Sequence, residues 1–231
     1  KFGLMQPYFL PYIGYWQLLN EVDTLVISDD TKYIKQSWIN RNVIWIQGER
    51  RYLTLPLAKA GDAEKICQRF ISPTFEPKDL QRKVIQDYRA CKQTEIEGFF
   101  YQIFEYPSRD LTSYLKNSIM EIVKLLGISI EILLASSIGI PENLVKEERI
   151  FFTSKYLGKN TYVNLPGGKS IYSRKEFGAK GINLEFIQPN LSPYQTKVNS
   201  FYPSLSILDL LFQAESFDII LNQVNDYSVE D

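Results

Sequence analysis

The sequence predicts an α/β fold whose central sheet is mostly parallel. An apolar run at residues 2–5 is followed by an amphipathic segment at 12–21 and by a second apolar run at 24–27, which is the order strand, helix, strand. The second half of the chain repeats this order, with predicted strands at residues 130–135, 161–164 and 182–187. Parallel strands need such crossovers between them. The predicted sheet is therefore Rossmann-like.

A β-hairpin and a helical insertion interrupt this alternation. Two strand-like runs, at residues 43–46 and 51–57, flank Gly48, which predicts a hairpin with a glycine turn. Residues 75–127 carry three helical patterns. The helix-end signals in this insertion are Pro77 at a first helical position, Asp110 as an N-cap and Gly127 at a C-terminus.

Three shorter assignments complete the chain. We predict a short strand at residues 66–71, a helix near the C-terminal end capped by Ser204 or Ser206, and a frayed polar tail at 225–231. All of these elements are assigned to one domain, residues 1–231, which contains the helical insertion.

The composition restricts the chemistry that the protein can perform. The 231 residues carry 26 basic and 27 acidic side chains, so the net charge of −1 gives no bulk attraction to nucleic acid. Histidine is absent, which removes the commonest general base and metal ligand. The two cysteines, Cys67 and Cys91, are far apart in sequence, which disfavours a zinc site. We therefore predict no metal site, and the sequence indicates no particular cofactor.

The hydropathy pattern predicts no membrane span. No apolar run approaches the roughly 20 residues that a spanning helix needs. Gln6 and Pro7 interrupt the first apolar run where a signal peptide would be continuous. We expect a cytoplasmic protein, and the sequence leaves a homo-oligomer open.

Polar side chains follow the first two predicted strands. Gln6 follows the first strand, and Asp29 and Asp30 follow the second. The carboxyl ends of neighbouring parallel strands border one crevice, so we expect these side chains to face a common ligand. Adjacent buried carboxylates raise each other's pKa, so either aspartate is a candidate general base. The aromatic residues between the strands have a simpler alternative role as core packing residues.

The loop after Asp30 is the second candidate for ligand binding. Within eight residues this loop contains two cationic side chains, two amide side chains and one flat aromatic ring: Lys35, Trp38, Asn40, Arg41 and Asn42. These groups suit a phosphate or carboxylate with a flat ring stacked on the indole. The alternative is a solvated loop anchored by Trp38.

A glycine-rich turn follows the predicted strand at residues 161–164. Gly167 and Gly168 allow backbone N–H groups to approach an anion or oxyanion, and Lys169 follows them. We include Asn164 before the turn and Tyr172 after it as candidate binding residues. Gly-Gly turns are common between α/β elements, so a purely structural turn is the alternative.

A series of motifs resembles the WbqC-like protein family over nearly the whole chain. In order these are Gln6-Pro-Tyr-Phe-Leu-Pro-Tyr-Ile-Gly-Tyr15, Asp29-Asp30, Trp38-Ile-Asn-Arg-Asn42, Leu55-Pro-Leu57, Ser136-Ser137, the helix with Arg149, Tyr162-Val-Asn-Leu-Pro-Gly-Gly168, Phe177 to Gly181-Ile182 and Leu205-Ser-Ile-Leu-Asp209. The resemblance implies a role in making bacterial surface glycans such as the O-antigen of lipopolysaccharide. It implies a nucleotide-linked sugar as substrate and the addition of an acyl or aminoacyl group.

A second resemblance concerns layout alone. The order of elements is a strand, the segment Tyr12-Ile13-Gly14-Tyr15, a helix and a second strand. This order is similar to the His-Ile-Gly-His region of class I synthetases and related nucleotidyltransferases. Tyr12 and Tyr15 would stand at the two histidine places, where a tyrosine donates hydrogen bonds but carries no positive charge. Both tyrosines are therefore candidate binding residues.

Our first hypothesis is a transferase that acylates the amino group of a nucleotide-linked amino sugar. Lys35 and Arg41 would hold the diphosphate, and Asp29 or Asp30 would accept the proton of the amine. Its partners would be the nucleotide-linked sugar and an acyl or aminoacyl donor. The alternatives are a non-catalytic module that binds a nucleotide sugar or a partner protein, and a nucleotidyltransferase-like enzyme.

Overall fold

The computed structural model describes residues 1–46, 48–88, 94–196 and 201–230, which leaves Cys91 outside the described residues. The strands are β1 (Phe2–Met5), β2 (Thr24–Ile27), β3 (Arg41–Ile46), β4 (Glu49–Thr54), β5 (Glu131–Leu134), β6 (Thr161–Asn164), β7 (Asn183–Pro189) and β8 (Tyr227–Glu230). The helices are α1 (Ile13–Glu21), α2 (Pro77–Asp87), α3 (Thr94–Phe104), α4 (Leu111–Leu126), α5 (Ala135–Ile138), α6 (Glu147–Leu157), α7 (Arg174–Ala179), α8 (Ile207–Gln213) and α9 (Phe217–Asn225).

Among the described residues, six strands form one sheet in the order β5-β2-β1-β6-β7-β8. The first five are parallel, and β8 pairs antiparallel with β7. The chain starts in the middle of the sheet, moves outward to β5, and then crosses back to β6 on the other side of β1. The α/β prediction is confirmed, and the strand order reverses between β1 and β6, as in Rossmann folds.

Strand β2 explains why the sheet is covered on both faces. All four of its residues are buried. Leu25 and Ile27 belong to the core that includes Trp16 of α1, whereas Val26 packs on the opposite face with Ile138. Successive side chains of a strand point to opposite faces, so a continuously apolar strand needs a layer on each side.

The predicted hairpin and helical insertion also form. Strands β3 and β4 pair antiparallel in a sheet of their own. Pro77 occupies a first-turn position of α2. The carboxylate of Asp110 caps α4 by accepting from the N–H of Ser113 at 2.7 Å, and Gly127 ends α4 in the left-handed conformation. Apolar residues of α3 and α4, such as Phe100, join the core of α1.

Two local predictions are wrong. Residues 66–71 form no continuous strand. Ile66–Gln68 is a 3₁₀ turn, in which the N–H groups of Ile66 and Cys67 donate to the loop after β2 at 2.9 and 2.8 Å, and Phe70 and Ile71 take part in isolated bridges only. The tail predicted to be frayed contains β8. Its alternating half-buried and exposed residues suit an edge strand, whose outer face is polar.

None of the helices in the described ranges is both long and apolar enough to cross a membrane.

Candidate functional site

A pocket lies at the point where the strand order reverses. Strands β1 and β6 end there side by side, and α1 begins at the same edge. The pocket has a volume of about 330 Å³. We call it the aromatic pocket, and it is lined by Tyr8, Pro11, Tyr12, Trp38, Asn42, Pro166, Gln188, Pro189, Leu191 and Ser204. Both its position and its size fit a small-molecule site of an open α/β sheet.

The turn between β1 and α1 forms one wall of the aromatic pocket and is fixed by hydrogen bonds from residues distant in sequence. The side-chain amide of Asn42 donates to the carbonyl groups of Phe9 and Leu10 at 3.1 and 3.0 Å. The Ser206 hydroxyl donates to the same Leu10 carbonyl at 2.7 Å. Leu10 has a φ of 48°, a conformation that is costly for a residue with a Cβ atom and that these bonds stabilise. The turn therefore presents Tyr8 and Tyr12 in fixed positions.

The Tyr12 ring lies over the first turn of α1. A Cβ atom at Gly14 would lie 2.6 Å from that ring, so the position of Tyr12 depends on glycine at residue 14. Burial raises the pKa of Tyr12 and of Tyr8, so both stay neutral phenols that donate hydrogen bonds. Tyr15 is fully buried, and its hydroxyl donates to the Gln6 carbonyl at 3.2 Å. The structure thus puts Tyr15 behind the pocket wall.

Two of the five candidate residues in the loop after β2 line the aromatic pocket. These are Trp38, which is 44% exposed, and Asn42. Lys35 instead forms an exposed ion pair with Asp62. The other two contact the hairpin region: the Asn40 amide donates to the Leu55 carbonyl at 2.8 Å, and the Arg41 guanidinium lies 4.5 Å from the Tyr52 ring centre.

The glycine-rich turn contributes Pro166 to the pocket. Gly168 packs so closely on Asn164 that a Cβ atom would lie 2.5 Å from the Asn164 amide nitrogen. The N–H of Gly168 donates to the Leu165 carbonyl at 2.9 Å, so it is already bonded within the turn. Gly167 is exposed. The two remaining candidates point elsewhere: Lys169 donates to Glu230, and Tyr172 packs on Tyr162 and Phe177.

Asp29 and Asp30 are both bonded within the fold. The Asp29 carboxylate is buried and accepts from the N–H and the hydroxyl of Ser136 at 2.9 and 2.6 Å. Both oxygens of Asp30 accept from Arg149 at 2.5 and 2.7 Å. We call Asp29, Asp30, Ser136 and Arg149 the carboxylate lock. It ties the end of β2 to α5 and α6, and its role in catalysis stays a prediction.

Gln6 lies between the lock and the pocket, where its amide contacts the Thr31 hydroxyl at 3.3 Å. Within the described ranges, no group of three or more His, Cys, Asp or Glu side chains is arranged to hold a metal ion.

Several pocket residues were not among the predicted site residues. Gln188 and Leu191 lie at the carboxyl end of β7, so the strand-end rule that selected Gln6 would have found them. Tyr8 has the sequence pattern of a core aromatic residue. Ser204 follows no strand, and only the folded chain brings it to the pocket.

The lining determines what the pocket can do chemically. Its side chains are aromatic, aliphatic, amide or hydroxyl groups, and none of the lining residues is a carboxylate, a lysine or an arginine. Flat rings stack on sugars and bases, and the amide and hydroxyl groups fix orientation. The arrangement therefore suits an uncharged, ring-shaped part of a ligand.

Comparison with known proteins supports one family. The chain is similar to the uncharacterized protein Rv1507c of Mycobacterium tuberculosis, with 29% identity over 216 residues that cover 92% of this chain and 93% of that protein. No solved structure matches the chain. The sequence model of one family matches residues 6–219, a range that contains every residue of the aromatic pocket and of the lock. The chain belongs to the WbqC-like protein family.

Proposed function

We propose that this protein acts in the cytoplasm in the synthesis of bacterial surface polysaccharides such as the O-antigen. In this proposal it is a transferase that adds an acyl or aminoacyl group to a nucleotide-linked amino sugar. The observation that carries the proposal is the aromatic pocket at the reversal of the strand order, where open α/β sheets bind nucleotides and related ligands. Membership of the WbqC-like family supports the pathway.

The uncharged parts of such a ligand match the pocket lining. The sugar or the base would stack on Trp38 and Tyr12, which are two of the rings in the wall. Gln188 and Ser204 would bond to hydroxyl groups of the ligand. A volume of about 330 Å³ is enough for one such ring system and not for a complete nucleotide sugar, so the rest of the ligand would extend along the strand ends.

The diphosphate would lie at the start of α1. This helix has no side-chain cap at Tyr12 and no acidic residue in its first turn. An anion would therefore lie at the N–H groups of Ile13 and Gly14, since the N–H of Tyr15 already donates to the Tyr12 carbonyl at 3.0 Å. We predicted Lys35 and Arg41 as the diphosphate ligands. In the structure Lys35 forms an ion pair with Asp62, and the Arg41 guanidinium lies over the ring of Tyr52. They would have to leave these partners to take part.

A non-catalytic binding module is the second candidate. The observation that favours it is the absence of carboxylates, lysines and arginines among the residues that line the pocket. Asp29 and Asp30 are engaged in the lock, so a transferase that used either as a general base would have to compete with Ser136 or Arg149.

The test is a ligand screen by thermal unfolding, followed by mass analysis of the sugar. Nucleotide-linked amino sugars, acyl donors, and ATP with Mg²⁺ are tested separately and together. A ligand at about 100 times its Kd stabilises the protein by roughly 2.7 kcal/mol. We expect stabilisation by a nucleotide-linked amino sugar, and an acylated sugar when a donor is added.

Matched variants locate the binding. Trp38→Ala should clearly reduce the stabilisation, because loss of a stacked ring costs roughly 1–3 kcal/mol of binding free energy. Tyr156→Ala, which removes an aromatic ring of 56% exposure on α6, should retain the full stabilisation. Binding without any product supports the module, and pyrophosphate release with ATP and Mg²⁺ supports nucleotidyl transfer. A protein that no nucleotide sugar stabilises contradicts the proposal.

A further inference from the structure

A third carboxylate, Asp209, is buried close to the aromatic pocket. It lies in α8 between Leu208 and Leu210 and is only 5% exposed. An acidic side chain in the first turn of a helix gains some stabilisation from the helix dipole. Burial of an ionised carboxylate is nevertheless costly without a charged partner.

The groups that act on Asp209 are neutral. The Tyr88 hydroxyl donates to its Oδ1 atom at 3.1 Å. The backbone of Trp45 and the side chain of Gln213 also act on the carboxylate, and both lower its pKa. Tyr194 faces it as well, and burial followed by the charge of Asp209 raises the pKa of Tyr194. Within the described part of the chain, no lysine or arginine forms an ion pair with Asp209.

Burial changes the acidity of this group. It raises the pKa of Asp209 to about 6, although Tyr88, Trp45 and Gln213 oppose the rise. Near neutral pH the carboxylate is therefore mainly ionised, and the described residues place no paired cation beside it. A positively charged ligand group beside it would supply the counter-charge.

A small cavity beside Asp209 borders the aromatic pocket. Asp209, Tyr194 and Tyr202 are among its lining residues, and its volume of about 30 Å³ is enough for one water molecule or one ammonium group. Leu191 and Ser204 line both this cavity and the aromatic pocket. The two spaces are therefore neighbours that share a wall.

We infer that Asp209 and this cavity form the subsite for the protonated amino group of the sugar bound in the aromatic pocket. This inference rests on the proposed function and defines the substrate as a sugar with a free amine. The ammonium group would meet the carboxylate of Asp209 and the hydroxyl groups of Tyr194 and Ser204. A sugar with a hydroxyl group at the same carbon would bring no charge to the buried carboxylate.

The test compares ligands that differ in that one group. Glucosamine and glucose, each free and as the UDP conjugate, are titrated calorimetrically into the wild-type protein, Asp209→Asn and Tyr88→Phe. Tyr88→Phe is the matched control, because it removes a bond to Asp209 and keeps the charge. We expect the wild type and Tyr88→Phe to bind the amine at least tenfold more tightly than the hydroxyl counterpart, and Asp209→Asn to lose this preference.

The pH dependence gives an independent readout. The preference for the amine should fall as the pH decreases through about 6, because Asp209 becomes protonated there, while burial keeps Tyr194 a neutral phenol. If Asp209 has only a structural role, Asp209→Asn and Tyr88→Phe should each unfold more easily than the wild type. The preference for the amine should then be the same in both variants and at every pH.

The outcomes separate the inference from the proposed function. UDP sugars that bind without any preference for the amine overturn the inference alone, as does a preference that survives in Asp209→Asn. A preference for free glucosamine without binding of either UDP sugar supports the amine subsite and contradicts the nucleotide-linked substrate. Failure of all four ligands to bind overturns both.

Discussion

The carboxylate lock and the aromatic pocket lie at the same edge of the sheet but use their polar groups differently. In the lock, at the ends of β2 and β5, the charged groups of Asp30 and Arg149 bond to each other, and both side chains are less than 15% exposed. In the aromatic pocket, at the ends of β1, β6 and β7, rings and neutral polar groups surround an accessible space. Trp38 shows the difference most clearly, since 44% of it is exposed.

Position at a strand end therefore does not by itself leave a carboxylate free to contact a ligand. Ser136 provides two hydrogen bonds to Asp29, so a ligand would have to compete with them. In the aromatic pocket, Trp38 keeps an accessible face that a ligand can contact directly.

The largest expected effect is on stability, from breaking the lock. Arg149→Met leaves the Asp30 carboxylate nearly buried without its cation, and removal of one partner of such a pair typically costs about 3–5 kcal/mol. We expect a loss of about this size in the free energy of unfolding from urea denaturation. The double variant Asp30→Asn with Arg149→Met should recover much of it, because no unpaired charge remains. A loss below about 1 kcal/mol in Arg149→Met would remove the structural role that distinguishes the lock from the pocket.

Asp209 contrasts with Asp30, because within the described residues no lysine or arginine forms an ion pair with it. Its pKa is raised from 3.8 to about 6 in the folded protein, so the folded state binds the proton more tightly than the unfolded state. Its contribution to stability therefore increases as the pH falls through about 6 and levels off below 3.8. Between pH 7 and pH 5 the gain is about 1.4 kcal/mol, since one pKa unit corresponds to about that energy.

Denaturation of the wild type and Asp209→Asn across this pH range measures the gain, because the other titrating groups are common to both proteins. We expect the stability of the wild type relative to Asp209→Asn to rise as the pH falls. A difference that is constant with pH would mean that Asp209 is not a buried, uncompensated carboxylate.

The smallest expected effect on stability is at the pocket, from Gly14→Ala. Alanine favours a helix over glycine by about 1 kcal/mol, but its Cβ atom would displace the Tyr12 ring. We expect unchanged or slightly higher stability together with a severalfold weaker affinity for the nucleotide-linked sugar. Gly98→Ala in α3 is the matched control, because nothing lies within 4 Å of the added Cβ atom. Equal affinities of the two variants would show that Tyr12 does not contact the ligand.

The sheet and the edge that carries the aromatic pocket could be predicted from local patterns. The apolar strand runs and the intervening helical segments predicted a parallel sheet, and the rule on the carboxyl ends of the strands selected the edge where this pocket lies. Asp110 and Gly127 marked the ends of α4, because helix ends depend on neighbouring residues. These signals are all encoded within a few residues of the element they describe.

The partners within the site could not be predicted, because they are distant in sequence. Ser136 lies 107 positions from Asp29, and Arg149 lies 119 positions from Asp30. Adjacent residues at the start of β3, which the sequence assigned to a loop, also differ: Asn42 lines the pocket, whereas the Arg41 side chain lies over Tyr52 on the hairpin. In a strand, adjacent side chains point to opposite faces, so the register of β3 decides which residue reaches the pocket.

A calorimetric titration of the nucleotide-linked amino sugar into one variant of each region tests directly whether the ligand binds in the aromatic pocket. Trp38→Ala removes a ring from the pocket, and Ser136→Ala removes one hydrogen bond from the lock. Loss of a stacked ring costs roughly 1–3 kcal/mol, so we predict a Kd at least about fivefold higher for Trp38→Ala. We predict a Kd close to that of the wild type for Ser136→Ala. A Kd that rises in Ser136→Ala and stays unchanged in Trp38→Ala would contradict binding in the pocket and move the ligand to the lock.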